Sequence, residues 1–173
     1  QAIAFSGSGE LDNGHSVSLM HAISTAGGDK STSTLTYDMG DMGSLTYQQD
    51  SGDLGIGKID DVMPTADEEV SNGLDTAAEV TPAGKVDGGM NGFNYKYSMD
   101  MVTINAGYGL KGTSSSVDDG STSGTGAVNS ATSVAVQVAP MDGLNVYFGT
   151  GTKGNSNGTQ DDDHQTMAVT YAY

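Results

Sequence analysis

Apolar and small polar residues alternate in one short segment after another, most clearly in GFNYKYSMDMVTINAGYGLKG at 92–112. Phe93, Tyr95, Tyr97 and Met99 fall on one side of a strand and Asn94, Lys96 and Ser98 on the other, because strand side chains point to the two faces in turn. A second strand sets Val102, Ile104, Ala106, Tyr108 and Leu110 against Thr103, Asn105 and Gly107. The same period predicts nine strands, at 2–9, 15–25, 31–39, 43–49, 92–99, 101–111, 131–139, 144–152 and 165–173. Their apolar sets include Ile3 and Phe5; Val17, Leu19 and Ile23; Leu35 and Tyr37; Leu45 and Tyr47. Val134, Val136 and Val138 then stand beside Leu144, Val146 and Phe148. Met167, Val169, Tyr171 and Tyr173 close the series, with Thr166, Ala168, Thr170 and Ala172 opposite. One face of every strand is apolar, and it turns either inward as a sandwich core or outward toward lipid.

Composition bears on that choice. The 173 residues are 35% hydrophobic, with no Trp and little Leu, Ile or Phe, which makes a dense water-soluble core hard to build. The 26 Gly, with abundant Ser, Thr, Asn and Asp, suit short strands joined by turns, so the expected class is all-β. No run approaches the roughly 20 apolar residues of a membrane helix, so a bilayer would be met only as a closed barrel. Asp and Glu number 22 against 6 Lys and no Arg, a net charge of -16 that argues against nucleic-acid binding. The absence of Cys fits an oxidising exterior, as it fits many cytosolic proteins. The chain opens on Gln1, with no signal peptide, as expected of a processed protein or an internal fragment.

The connections alternate in length. Those at 10–14, 40–42, 99–101 and 140–143 are tight turns of antiparallel hairpins. The connection at 26–30 is modest, while 50–91, 112–130 and 153–164 are long excursions rich in Gly, Ser and Asp. The long ones therefore share one end of the sheet. Outer-membrane barrels show this arrangement, whereas sandwiches mix loop lengths at both ends.

This order of hairpins, with the segment LTYDMGDMGSLTYQQDSGDLGIGKIDDVMPTADEEVSNGLD, resembles the general diffusion porins of Gram-negative bacteria, especially the alphaproteobacterial type, over most of the chain. The resemblance implies a transmembrane antiparallel barrel in the outer membrane, surrounded by lipid and lipopolysaccharide. It also implies a homotrimer and a water-filled channel through which small hydrophilic solutes and ions diffuse passively. In that family the third external loop follows the fifth strand and folds inward. If the strand at 2–9 is the second, the strand at 43–49 is the fifth, and the 50–91 excursion falls where the constriction loop belongs. Residues 1–173 then form a single porin barrel segment. A barrel of this type resembles one of roughly 16 strands, so nine strands are a part, lacking the first and the last six. The terminal MAVTYAY nevertheless mimics the aromatic-ended close of outer-membrane proteins.

Asp60, Asp61, Asp67, Glu68, Glu69, Asp75 and Glu79 crowd the long excursion, with Lys58 inside it and Lys85 nearby. In a narrow aqueous passage such carboxylates concentrate cations and repel anions, and Lys96 on the wet face is the expected opposing charge. In the family a basic cluster on the wall commonly faces the acidic loop, a role that this Arg-free chain leaves in doubt. The plainer reading is that these acids solvate a surface loop.

Asp161, Asp162 and Asp163, followed by His164, and separately Asp118 and Asp119, offer carboxylate oxygens as candidate ligands for a structural calcium ion; no other cofactor is expected. His21, in phase with Leu19 and Ile23, suits a subunit interface better than lipid. No nucleophile elbow, triad or paired-carboxylate site stands out, so an enzyme is not expected. The rival reading is a secreted or surface-layer β-rich adhesin or structural protein, whose tyrosines and valines would pack into a soluble core.

Overall fold

The structure, a computed structural model, describes residues 2–24, 30–51, 54–59, 62, 90–110, 112–113, 127–128, 130–153 and 162–172. It is all-β. Strands β1 (Ala2–Glu10), β2 (Ser16–Ser24), β3 (Lys30–Asp38), β4 (Ser44–Ser51), β5 (Met90–Met99) and β6 (Val102–Gly109) are followed by β7 (Gly112–Thr113) and β8 (Ala127–Val128). Then come β9 (Ala131–Met141), β10 (Leu144–Lys153) and β11 (Asp162–Tyr171). Nine of these make one antiparallel sheet in the order β1-β2-β3-β4-β5-β6-β9-β10-β11, and β7 and β8 pair separately. The nine expected strands are all present, with ends shifted by a few residues. The β7–β8 ladder is an addition that the period did not reveal, because two-residue strands carry no alternation.

The sheet is open. Its edges are β1 and β11, so the described residues show an antiparallel sheet and no closed barrel. No α-helix occurs among them, and the only helical pieces are the 3-10 turns Gly40–Met42 and Gly55–Ile59.

Because every strand of the large sheet pairs with its neighbour in sequence, the four tight connections lie at one end and the longer ones at the other. The tight turns are locally determined. Between β3 and β4, the Asp38 carboxylate accepts the Gly40 amide at 2.9 Å, and the Tyr95 hydroxyl donates to the Met42 carbonyl. Gly43 has φ +88°, in the left-handed region that favours glycine, and a Cβ there would overlap the Lys96 carbonyl. Between β1 and β2, His15 Nδ1 and the Tyr37 hydroxyl share a hydrogen bond of 2.6 Å, and Asn13 Oδ1 accepts the His15 amide at 3.1 Å.

The register keeps each strand's alternation in phase with its neighbours. Tyr37, Leu45 and Tyr95 are adjacent on one face, as are Tyr47, Phe93 and Tyr108, with Tyr47 and Phe93 at 5.2 Å between ring centroids. The other face carries small and polar residues: Asn94, Gly107, Ser133 and Gly151 form one row, and Asn105, Ala135, Gly149 and Thr166 another.

Candidate functional site

The two faces are covered in the opposite sense to a soluble sheet. Among the described residues, twenty large apolar side chains are exposed and six hydrophobic residues are buried. The exposed set is mostly the apolar face itself, from Ile3 and Phe5 through Leu35 and Tyr95 to Phe148 (46% exposed) and Met167 (67% exposed). In a water-soluble sheet this face is where burial would stabilise the fold, at about 25 cal/mol per Å². Here it stands bare.

What cover there is lies on the small, polar face, over β6, β9 and β10. Residues 54–59 leave the loop after β4 and lie across β6, β9 and β10 as a strap. Leu54 and Ile56 are fully buried, and Ile56 and Ile59 form a cluster with Ala135 and Tyr147, against which Val62 and Ala168 pack. Burying two such aliphatic side chains contributes about 1.5–3 kcal/mol each. The strap also has a built polar seat. Asn94 Oδ1 accepts the Gly55 amide at 2.8 Å, Ser133 Oγ accepts the Ile56 amide at 3.1 Å, and the same hydroxyl lies 3.4 Å from the Leu54 carbonyl to which it donates. Asn94 Nδ2 in turn donates to Asn105 Oδ1 at 3.3 Å.

The wall makes room for this by omitting side chains. A Cβ on Gly92 would overlap Leu54, one on Gly107 would meet the Gly55 backbone, and one on Gly149 would overlap Ile56. Glycine inside a strand ordinarily weakens it, and here each marks a close approach of another segment. Gly55 itself has φ +53°, which aims its amide at Asn94.

The expected site residues divide into three groups. Asp60, Asp61, Asp67, Glu68, Glu69, Asp75 and Glu79 lie outside the described residues, as do Lys85, Asp118, Asp119 and Asp161. Lys58 is exposed on the strap, and Lys96 is exposed on the small-residue face of β5, opposite Ser44 and Asn105. Asp162 opens β11, and Asp163 is exposed and accepts a 2.8 Å hydrogen bond from the Thr152 hydroxyl. No group of three or more metal-ligating side chains comes together among the described residues.

One expectation is corrected. The alternation puts Asn94 and Asn105 on the wet face, whereas they are 4% and 8% exposed, because the strap covers that face there and their amides are spent on it and on each other. The period does not mark the strap, which lies within the 50–91 excursion that the resemblance expects to fold inward. Two signals could have found it: the apolar residues Leu54, Ile56 and Ile59 within an otherwise polar stretch, and the recurrence of Gly92, Gly107 and Gly149 on one face.

The apolar belt runs obliquely to the hydrogen-bonded rows. One row joins Gly9, Val17, Tyr37, Leu45, Tyr95, Ala106, Val134, Thr150 and Gln165. On β1 the bulky apolar residues, Ile3 and Phe5, lie to the long-loop side of this row; on β11 they are Met167, Val169 and Tyr171, to the short-turn side. The belt thus drifts by about nine residues over eight strand-to-strand steps. With about 3.3 Å of rise and 4.8 Å between strands, that drift is a slope of about 35–40°.

Set against known protein families, characterised proteins and solved structures, the chain matches none.

Proposed function

We propose that this sheet is the wall of an outer-membrane barrel of the general porin kind, with its apolar belt against lipid and its small-residue face toward a water-filled passage. The observation that carries this reading is the oblique belt. A level lipid boundary crosses strands tilted by about 35–45° one residue further along on each successive strand, which is the drift seen across all nine. Strand lengths of eight to eleven residues in the large sheet agree with a tilted crossing of the hydrocarbon layer. The strap supports the reading a second time, because the loop after β4 packs on the face opposite the belt.

In this reading small hydrophilic solutes and ions pass down their gradients, sorted by size where the strap narrows the passage and by charge at the carboxylates that follow it in sequence. Asp60 and Asp61 come directly after Ile59, and the preponderance of acid makes the channel cation-preferring. Closure of the barrel requires further strands paired at the β1 and β11 edges.

The assembly is a homotrimer. The belt narrows on β3 and β4 to Leu35 with Tyr37 and Leu45 with Tyr47, and the next row sets His21, Ser33 and Gln49 beside Phe5 of β1. His21 Nδ1 and Ser33 Oγ share a hydrogen bond of 2.8 Å. Such a row is costly against hydrocarbon and suits a subunit contact.

The deciding experiment is single-channel recording of the full-length protein in a planar bilayer under a KCl gradient. Stepwise, cation-selective openings are expected, with selectivity reduced when Asp60, Asp61, Glu68 and Glu69 are changed to Asn and Gln. A folded, inserted protein that passes no current would sink the channel reading and favour the adhesin or structural alternative.

A further inference from the structure

We infer that Asn94 and Ser133 are positioning residues that hold residues 54–59 as a fixed narrowing of the passage, so that its width is set by the wall and not by the loop's own fold. The inference rests on the passage reading above and adds to it the wall residues that fix where the strap sits.

The strap's internal hydrogen bonds give it the shape of one short turn but do not fix where on the wall it sits. The segment Gly55–Ile59 is a single 3-10 turn, entered by the Gly57 amide donating to the Leu54 carbonyl at 3.0 Å. Its polar seats on the wall come from strands far away in sequence, since Asn94 is 39 residues from Gly55 and Ser133 is 77 from Ile56. Ser133 is the more exacting of the two. Its single hydroxyl, on a residue 4% exposed, accepts from one strap amide and donates to one strap carbonyl, which fixes the strap's height above β9 and its direction at once. Asn94 is oriented in turn by donating to Asn105, so its acceptor oxygen is turned toward Gly55.

The apolar contacts act in the same sense but are less directional. Leu54 seats over Gly92 and Ile56 over Gly149, contacts that depend on shape and carry no directional requirement. The polar seats supply that requirement. A buried amide that loses its acceptor has no water to turn to, so release of the strap must expose Gly55 and Ile56 together. The strap is therefore either docked in one place or undocked, with no graded positions between.

The test compares Ser133→Ala, Asn94→Leu and the conservative Asn94→Asp with the wild type, in the full-length protein. Two quantities are read: hydrogen exchange at the Gly55 and Ile56 amides in lipid vesicles, and KCl conductance with the size limit for neutral polyethylene glycols in planar bilayers. Ser133→Ala and Asn94→Leu are expected to speed exchange at those amides by about tenfold or more and to raise both the conductance and the polymer size limit. Asn94→Asp keeps an acceptor for Gly55 and should retain the wild-type size limit. Unchanged exchange overturns the latch. Faster exchange with an unchanged size limit overturns the claim that the latch sets the width, while leaving the channel intact. A wild type that never conducts overturns the passage reading itself, and is distinguishable because exchange would still respond to Ser133→Ala.

Discussion

Ile56 occupies the space that a Cβ on Gly149 would need, although 93 positions separate the two in sequence. At this point the strap and the wall are cut to each other by one missing side chain, as they are again at Gly92 and Gly107. Gly149→Ala should cost about 1–3 kcal/mol as an overpacked site, read from urea unfolding in lipid vesicles. The control is Gly7→Ala, on the opposite face of β1, where a Cβ would meet nothing within 4 Å. That change should be within about 0.5 kcal/mol of neutral or slightly stabilising. Equal effects at the two sites would count against a strap docked in this place.

Phe148 precedes Gly149 on β10 and points the other way, toward the bare face, where it neighbours Val136 and Met167. Phe148→Arg places a charge within the belt and should raise the free energy of folding into vesicles by about 2–4 kcal/mol. Gln137→Arg, on the small-residue face, removes one hydrogen bond to Asn145 and should cost about 1 kcal/mol or less. If Gln137→Arg proved the more harmful of the pair, the assignment of faces would be inverted.

At the opposite end of the sheet, Gly43 combines a φ of +88° with close approach to the Lys96 backbone. Gly43→Ala cannot relieve both constraints, so it should destabilise by about 1–3 kcal/mol. Refolding kinetics should show the β3–β4 hairpin forming more slowly than in the wild type, whereas substitution of Asp41, exposed in the same turn, should leave the rate unchanged.

His21→Leu removes the hydrogen bond to Ser33 and makes the row more lipid-like. In the proposed trimer this should lower the temperature at which the oligomer dissociates, followed by gel electrophoresis of heated samples without prior denaturation. An unchanged dissociation temperature would remove the interface role proposed for this row.

The strands were legible in the sequence because alternation with period two is a local signal, carried on each strand by its own residues, as Phe93 to Met99 and Val134 to Val138 show. The tight turns were legible for the same reason, through Asn13-Gly14, Gly43 and Asp142-Gly143. The strap was not. Its identity lies in pairings such as Gly55 with Asn94 and Ile56 with Ser133, and nothing within residues 54–59 announces which wall will receive them. The burial of Asn94 and Asn105 was hidden for the same reason, since polar residues in strand phase read as solvated until a segment from elsewhere covers them.

By itself the sequence determined an all-β chain, the number of long strands, the residues on each face and the gathering of long connections at one end, because side-chain alternation and turn chemistry act over a few residues. Only the tertiary structure decided which face would be covered, how far each strand slides past the next, and that a loop segment would seat itself among Gly92, Gly107 and Gly149. Those depend on register and on contacts across tens of residues, where many arrangements share the same local pattern and the fit of backbone amides, hydroxyls and missing side chains selects among them.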